Sequence, residues 1–348
     1  MLGIVGLGFM GMTHFEAARA ARGVSVAAFA TSSAKKRAGD WSSIQGNFGP
    51  RGSKTADLAG AAAYATPEEL LADDRVTLVS VCTPTASHAD VAVAAMRAGK
   101  HVLVEKPIAL TLKDADRMLR EADKAGVRLL VGHVLPFFAE FRWLRETIAE
   151  GRYGRVRAAH FKRVMCPPDW LGPDGFERVG GWGVDLHCHD THLISLLFGT
   201  PAKASATGLL RGGLTEHVSA QYHWGRESAP AVSCVSGGVA AGGLKFHHGF
   251  EVHLEKATLQ FDAGTYGSEW VVNRPPTLVD KTDRVRTPKL KGGTEWYSPF
   301  QAEIELAAKA VRTGADCPEL DARLARDAVA VVQAEAKSIE TGRPAAVK

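Results

Sequence analysis

Gly6, Gly8 and Gly11 stand directly behind a four-residue apolar run, Leu2–Val5, and directly ahead of a helical stretch over residues 13–21. Few folds accept that order of strand, glycine turn and helix. Gly6 permits a tight turn, Gly8 lets backbone N–H groups approach a pyrophosphate, and Gly11 lets the helix pack close to the strand. The helix N-terminus then faces the phosphate charge. Chance matches to this spacing arise easily in a chain with 36 glycines, so the flanking strand and helix are what give it weight. Phe9 and Met10 complete the loop and are expected to touch the same dinucleotide.

Further apolar runs at 24–29, 76–81, 101–104 and 128–131 alternate with helical patterns. Two of these helices, His88–Arg97 and Leu112–Ala125, are stopped by Gly99 and Gly126. Repeated strand and helix predict a doubly wound parallel sheet, a Rossmann domain, over residues 1–131. After Gly132 the pattern changes. A helix over 138–150 precedes a Pro, Gly and Trp-rich loop at 165–183 and a helix over 185–198 ending at Gly199. Strand-like runs follow at 218–224, 231–236 and 250–261, where Glu251, His253 and Glu255 alternate with Val252 and Leu254. That alternation suits an antiparallel sheet with one wet face. The expected class is therefore α/β: a Rossmann domain plus a C-terminal α+β domain, residues 132–348, with a large and mainly antiparallel sheet. Helical patterns at 300–311 and 322–339 suggest that the stretch 300–341 packs back on the first domain.

At 348 residues the chain is long enough for two domains of ordinary size. The excess of 42 Lys and Arg over 38 Asp and Glu is small and contains no long basic run, which speaks against nucleic acid as a partner. Cys82, Cys166, Cys188, Cys234 and Cys317 are odd in number and include no C-x-x-C pair, so neither a disulfide framework nor a structural zinc site is expected. No segment has the apolar length of a membrane span. The opening strand lacks the marks of a leader, and a cytoplasmic location is expected.

Where an NAD enzyme places an acid for the ribose hydroxyls, about twenty residues past the glycines, this chain has Thr31, Ser32 and Ser33 followed by Lys35, Lys36 and Arg37. Hydroxyls beside cations suit a 2'-phosphate, with Lys36 or Arg37 as its partner, and favour NADP over NAD. A Ser-capped helix start with surface cations would look the same.

Three more stretches complete a pattern: Val81-Cys82-Thr83-Pro84 with His88, then Glu105-Lys106-Pro107, then residues 180–190, which contain Asp185 and His189. In this order, and with the glycine motif, the chain resembles the glucose-fructose oxidoreductase, inositol dehydrogenase and MocA family (Gfo/Idh/MocA). The resemblance extends to the C-terminal helical run. It implies an NAD(P)-dependent dehydrogenase or reductase acting on CH–OH groups, moving hydride between nicotinamide and a secondary hydroxyl of a sugar, polyol or glycoside. It also implies a homo-oligomer, dimer or tetramer. Lys106, Asp185 and His189 correspond to the family's catalytic residues, and Thr83, Pro84, His88, Glu105 and Lys106 to its cofactor-side loops. The chemistry of the residues agrees. Oxidising an alcohol needs a base for the hydroxyl proton and a cation near the developing alkoxide. His189 suits the base, Lys106 the cation, and Asp185, four residues before His189 on one helix face, the orienting acid, although sequence leaves open which of Lys106 and His189 takes the proton. His133, Trp170 and His192 are candidate substrate contacts, and Trp182 is a second aromatic for a sugar ring. His187 stands where the family commonly has Gly, and Pro136 lies near a place where many relatives carry Arg. Both weaken the transfer of any particular sugar.

Other classes compete with this reading. The run His187-Cys188-His189-Asp190-Thr191-His192 is dense in metal-ligand types, as in a metal-dependent hydrolase. On a helix His187 and His189 point about 200° apart, a poor arrangement for one ion, so no metal is assigned. A Rossmann sensor without turnover is a further alternative, because function lives in the site and not the scaffold. An enzyme that recycles tightly held NAD during glycoside cleavage is another.

Overall fold

The structure, a computed structural model, describes every residue except 47, 59, 169, 170 and 283. It contains two compact units, Met1–Phe137 with Gly292–Arg326 and Phe138–Lys291 with Asp327–Lys348.

In the first unit β1 (Leu2–Val5), β2 (Val26–Ala30), β3 (Ala62–Tyr64), β4 (Leu78–Val81), β5 (His101–Glu105) and β6 (Leu129–Gly132) form one sheet in the order β3-β2-β1-β4-β5-β6. Every pair is parallel. Strands β1, β4 and β6 are buried at every residue, which is why they read as unbroken apolar runs. The sequence pattern misses β3, an edge strand of three residues with no fully buried position. Helices α1 (Phe9–Ala20), α2 (Ala34–Arg37), α3 (Pro67–Leu71), α4 (His88–Arg97) and α5 (Leu112–Ala125) supply the connections. Their ends are written locally. Thr66 and Glu69 make a capping box at α3, Thr111 caps α5, and Gly126 closes α5 at φ 66°.

The second unit starts with α6 (Ala139–Ala149), β7 (Val156–Met165), α7 (Gly175–Arg178) and α8 (Cys188–Phe198). Strands β8 (Lys203–Arg211), β9 (Leu214–His223), β10 (Ala231–Gly238), β11 (Leu244–Leu254), β12 (Ala257–Tyr266), β13 (Glu269–Asp280), β14 (Val285–Arg286) and β15 (Ala345–Ala346) follow. With β7 they form a nine-stranded sheet ordered β14-β13-β12-β11-β7-β10-β9-β8-β15. Only β7 and β10 pair in parallel. The run expected as one strand over 250–261 is in fact two, because the chain turns at Glu255 and Lys256 and Val252 then pairs with Leu259. The buried phase slips there, from Val252 and Leu254 to Ala257, Leu259 and Phe261. On this sheet Phe141 of α6 packs against Phe250 and Phe261 at 5.4 and 6.2 Å. The helix α9 (Ser298–Thr313) belongs to the first unit, and α10 (Ala322–Thr341) passes from Arg326 of the first to Asp327 of the second.

Beside the first sheet, Phe15, Phe29 and Trp41 meet edge to face with centroids 5.0 to 6.2 Å apart. All three are essentially without exposure, and the Trp41 indole N–H donates to the Lys36 carbonyl at 2.9 Å. Trp41→Ala would leave a large cavity and remove the indole bond to Lys36, and is expected to cost about 3–5 kcal/mol in a urea unfolding titration. A loss below about 1 kcal/mol would show that this triangle is not part of the folding core.

Candidate functional site

Strand order in the first sheet reverses between β1 and β4, the place where open α/β sheets take ligands beyond their carboxyl ends. Gly6 follows β1 and Thr83 follows β4. Gly6 has φ 93°, and a Cβ there would stand 2.8 Å from the Cys82 carbonyl and 2.9 Å from the Thr83 nitrogen. A Cβ on Gly11 would fall 2.0 Å from the Gly6 oxygen, so only glycine lets α1 start this close to the turn. Gly8 differs. It is exposed, its φ of −91° suits any residue, and its Cβ would meet nothing within 4 Å. It is also the N-cap of α1, where no side chain caps the helix. An uncapped helix start that opens on free space fits a dinucleotide pyrophosphate. Phe9 and Met10 lie half-buried in this loop, with Phe9 edge-on to Phe48 at 4.8 Å.

Thr31, Ser32 and Ser33 close β2 beside the same loop. Ser33 caps α2 by accepting the Lys36 N–H. The Lys36 ammonium donates to the Leu7 carbonyl at 2.8 Å, and Arg37 donates to the Thr31 carbonyl at 2.7 Å. Burial holds Lys36 somewhat below its usual value. Its charge thus lies against the glycine loop itself, a placement that sequence spacing did not foretell.

Thr83 accepts from the Ser87 hydroxyl at 2.9 Å, and Pro84 is exposed. His88 corrects an expectation. It is 1% exposed, with Nδ1 2.9 Å from the Pro107 carbonyl and Nε2 3.0 Å from the Thr83 carbonyl, so it braces two loops and offers no face to a cofactor. Glu105 is likewise turned inward, at 6% exposure, and accepts from the His14 Nε2 at 2.8 Å. Lys106 follows it half-buried, joined to Pro107 by a cis peptide. His133, expected at substrate, is buried at 1% exposure.

In the second unit the segment expected to open a regular helix is a π-turn, Gly183–His187, that leads into α8. Such turns are rare and cluster at functional sites. Gly183 permits it, because a Cβ there would meet Val332 and Thr215 at 2.8 and 2.9 Å. From Gly181 to Ser195 every residue is buried except two, Asp185 and His189. They are four apart and are the positions that the family pattern singled out.

A closed set of charges lies under the turn. Nε2 of His187 is 3.1 Å from Glu335, which also accepts from the Tyr222 hydroxyl at 2.8 Å. Arg163 donates to Asp190 at 2.9 Å, and His187 Nδ1 lies 3.9 Å from the same carboxylate. Burial works against a charge on His187, yet Glu335 and the neighbouring acceptors outweigh it and hold its affinity for a proton well above the ordinary value. Burial would also raise Asp190, but Arg163 and His187 bring it below its usual range. Two cations therefore face two anions. His192, expected at substrate, is fully buried and pushed down to about 3 by desolvation. Trp182, 2% exposed, packs with Met165, Leu171, Phe176 and Leu186 as core. Trp170 lies outside the described residues. The ligand-rich run does not converge on a point: His187 groups with Asp190 and Cys234, while His189 and His192 enter no such group among the described residues.

A six-stranded parallel sheet with a glycine turn at its point of reversal is the architecture of a Rossmann-type dinucleotide-binding fold. Residues 1–133 match the Gfo/Idh/MocA model, described as an oxidoreductase family with an NAD-binding Rossmann fold. The 1,5-anhydro-D-fructose reductase of Ensifer adhaerens is 43% identical over 143 residues, 40% of this chain and 43% of that protein. The myo-inositol 2-dehydrogenase of Thermotoga maritima is 36% identical over 139 residues, 39% of this chain and 40% of that one. The matched stretch thus spans about two-fifths of the length of these relatives. The fold similarity runs much further. The WlbA dehydrogenase of Bordetella pertussis, solved with NADH and UDP-GlcNAcA, superposes with a TM-score of 0.74 at 20% identity, covering 100% of this chain and 98% of that one.

Two glycines separate fold from binding. Gly11→Ala is expected to destabilise the protein by at least about 1–3 kcal/mol through overpacking. Gly8→Ala should melt like the native protein while weakening NADH binding roughly tenfold or more, since its methyl enters the space proposed for phosphate. Native-like affinity in Gly8→Ala would show that the loop does not carry the phosphates.

Proposed function

We propose that the chain is an NAD(P)-dependent oxidoreductase acting on a secondary hydroxyl of a sugar, polyol or glycoside. The observation that carries this is the selective exposure of Asp185 and His189 in an otherwise sealed fifteen-residue stretch, in a chain whose other unit ends β5 in Glu105-Lys106-Pro107. Bound nicotinamide would supply the hydride acceptor or donor. The chain's own residues handle the proton: His189 accepts it from the substrate hydroxyl, Lys106 brings positive charge to the developing alkoxide, and Asp185 orients the substrate and His189. The first unit serves as the cofactor domain and the second as the substrate domain.

NADP is the preferred cofactor in this reading. Lys36 and Arg37 lie beside the end of β2, and none of Thr31, Ser32 and Ser33 presents an acid that would repel a 2'-phosphate. The substrate is a small carbohydrate, with neither nucleic acid nor membrane as partner. Among the described residues no helix is long and apolar enough to cross a membrane. A cytoplasmic location goes with the proposed use of the nicotinamide pool. A homo-oligomer is supported by Tyr266, Trp270 and Val272, large apolar side chains left 40 to 53% exposed on β12 and β13.

Fluorescence titration with NADH and NADPH tests the cofactor assignment. Tighter NADPH binding is the expected result, and tighter NADH binding would overturn the role given to residues 31–37. Lys106→Ala and His189→Ala are each expected to lower kcat by roughly two to four orders of magnitude, with cofactor affinity little changed. Native turnover in either variant would remove that residue from the chemistry.

A further inference from the structure

Four side chains from four elements of the first unit meet under the Lys106 loop. His14 of α1, Ser80 of β4 and Glu303 of α9 have no exposure, and Glu105 ends β5 nearly sealed. His14 places Nδ1 2.7 Å from the Ser80 hydroxyl and Nε2 2.8 Å from Glu105. Serine, histidine and carboxylate in a line have the connectivity of a nucleophilic triad. No substrate can reach this one, so its use is internal.

The other oxygen of Glu105 accepts the backbone N–H of Lys106 at 3.2 Å. The orientation that His14 imposes on Glu105 is thereby passed to the first peptide of the Lys106 loop. Glu303 brings a second carboxyl to the cluster, 3.9 Å from His14 Nε2, and neither of its oxygens has a hydrogen-bond partner among the described residues. Gly132 leaves the room for it, since a Cβ there would stand 3.1 Å from Glu303 Oε1. A bare anion in that place would be desolvated and would face the charge of Glu105. Burial first, and Glu105 second, hold the Glu303 proton up to about 8. Burial opposes a charge on His14, but its contacts to Cys82 and Glu105 prevail and keep it well above the ordinary value. An imidazolium donates from both nitrogens, to the Ser80 hydroxyl and to Glu105.

We propose that His14 and Glu303 are positioning residues for Lys106, forming with Glu105 a buried unit that fixes the Lys106 loop and keeps the charge beneath it balanced. This rests on the reading of Lys106 as the cation of the active site. With His14 charged, Glu105 ionised and Glu303 neutral, the unit carries no net charge. Loss of the Glu303 proton would add a negative charge, repel Glu105 from its place and offset the charge that Lys106 brings to the substrate. The charged groups that act on Glu303 are His14 from α1 and Glu105 from β5, with Gly132 of β6 against its carboxyl, and none of these replaces that proton.

Glu303→Gln keeps the neutral shape and removes the titration, and two kinds of measurement on the full chain test the proposal. Infrared spectroscopy of the native protein below its transition should show a protonated carboxyl band that disappears as pH rises past about 8 and is absent from the variant. Stability carries the same sign. Between the ordinary 4.5 and about 8 the folded state holds a proton that the unfolded state has lost, so native stability should fall as pH rises through that window. The variant should lack that part of the slope. Absence of the infrared band from the native protein would overturn the proposal whatever the enzyme's substrate. In turnover, native kcat should fall roughly tenfold per pH unit above the Glu303 transition, while Glu303→Gln matches the native rate at pH 7 and stays level above it. An identical alkaline fall in both proteins would overturn the link to Lys106. Native turnover in Lys106→Ala, by contrast, would sink the catalytic reading and leave the infrared result standing, so the two failures are distinguishable.

Discussion

A close backbone approach in the first unit is the constraint on which its site depends. After β1 the chain must turn within contact of the backbone leaving β4, and a Cβ on Gly6 would collide with Cys82 and Thr83. Only a left-handed glycine turns there. The same closeness brings the start of α1 over the end of the sheet, where Gly11 repeats the requirement against the Gly6 carbonyl. Parallel order then does the rest: the loops after β1, β4 and β5 all open at the carboxyl edge of the sheet, which places Gly8, Thr83 and Lys106 on one side of it without any contact made for that purpose.

In the second unit the corresponding constraint is a shift in helical period. A π-turn accommodates Gly183 against Val332 and Thr215, and α8 resumes at Cys188. Its inner side is paired with charges and hydroxyls from β7, β9 and α10 through Arg163, Tyr222 and Glu335. Satisfying those groups fixes which side chains turn inward. Asp185 and His189 are the two left half-buried, so their partial exposure follows from the packing of their neighbours as much as from their own chemistry.

The parts of this fold legible in the sequence are those in which one residue answers to one local rule. Gly6, Gly11 and Gly126 each mark a backbone demand, and the buried strands β1, β4 and β6 show as apolar runs. The edge strand β3 was invisible because three partly exposed residues give no period. The turn at Glu255 and Lys256 was hidden because alternation continues through it, with a change of phase. Among the expected site residues Gly8 is exposed and Lys106, Asp185 and His189 are half-buried, whereas His88, Glu105, His133 and His192 are interior. No motif distinguishes a histidine that meets a ligand from one that meets a carbonyl, since both uses need the same ring. His14 and Glu303 went unread although each left a trace: a polar residue on the buried face of a helix, His14 beside Phe15 and Ala18, Glu303 beside Phe300 and Ala307.

The two units bury charge in different ways, and the difference has a chemical consequence. Under Asp185 and His189, cations and anions match two for two, and the groups are shifted away from neutrality in opposite directions, His187 up and Asp190 down. Such a set has nothing to gain or lose near pH 7 and acts as a fixed support. Under Lys106 one cation faces two carboxyl groups, so the balance is completed by a proton and not by a second cation. A support completed by a proton answers to pH, and it lies beneath the residue whose charge the proposed chemistry uses. Replacing that proton by a fixed cation would have required a second long side chain in a space so tight that β6 ends in glycine to admit Glu303. Steric economy at Gly132 and the retention of a titrating acid at 303 are thus two sides of the same packing problem.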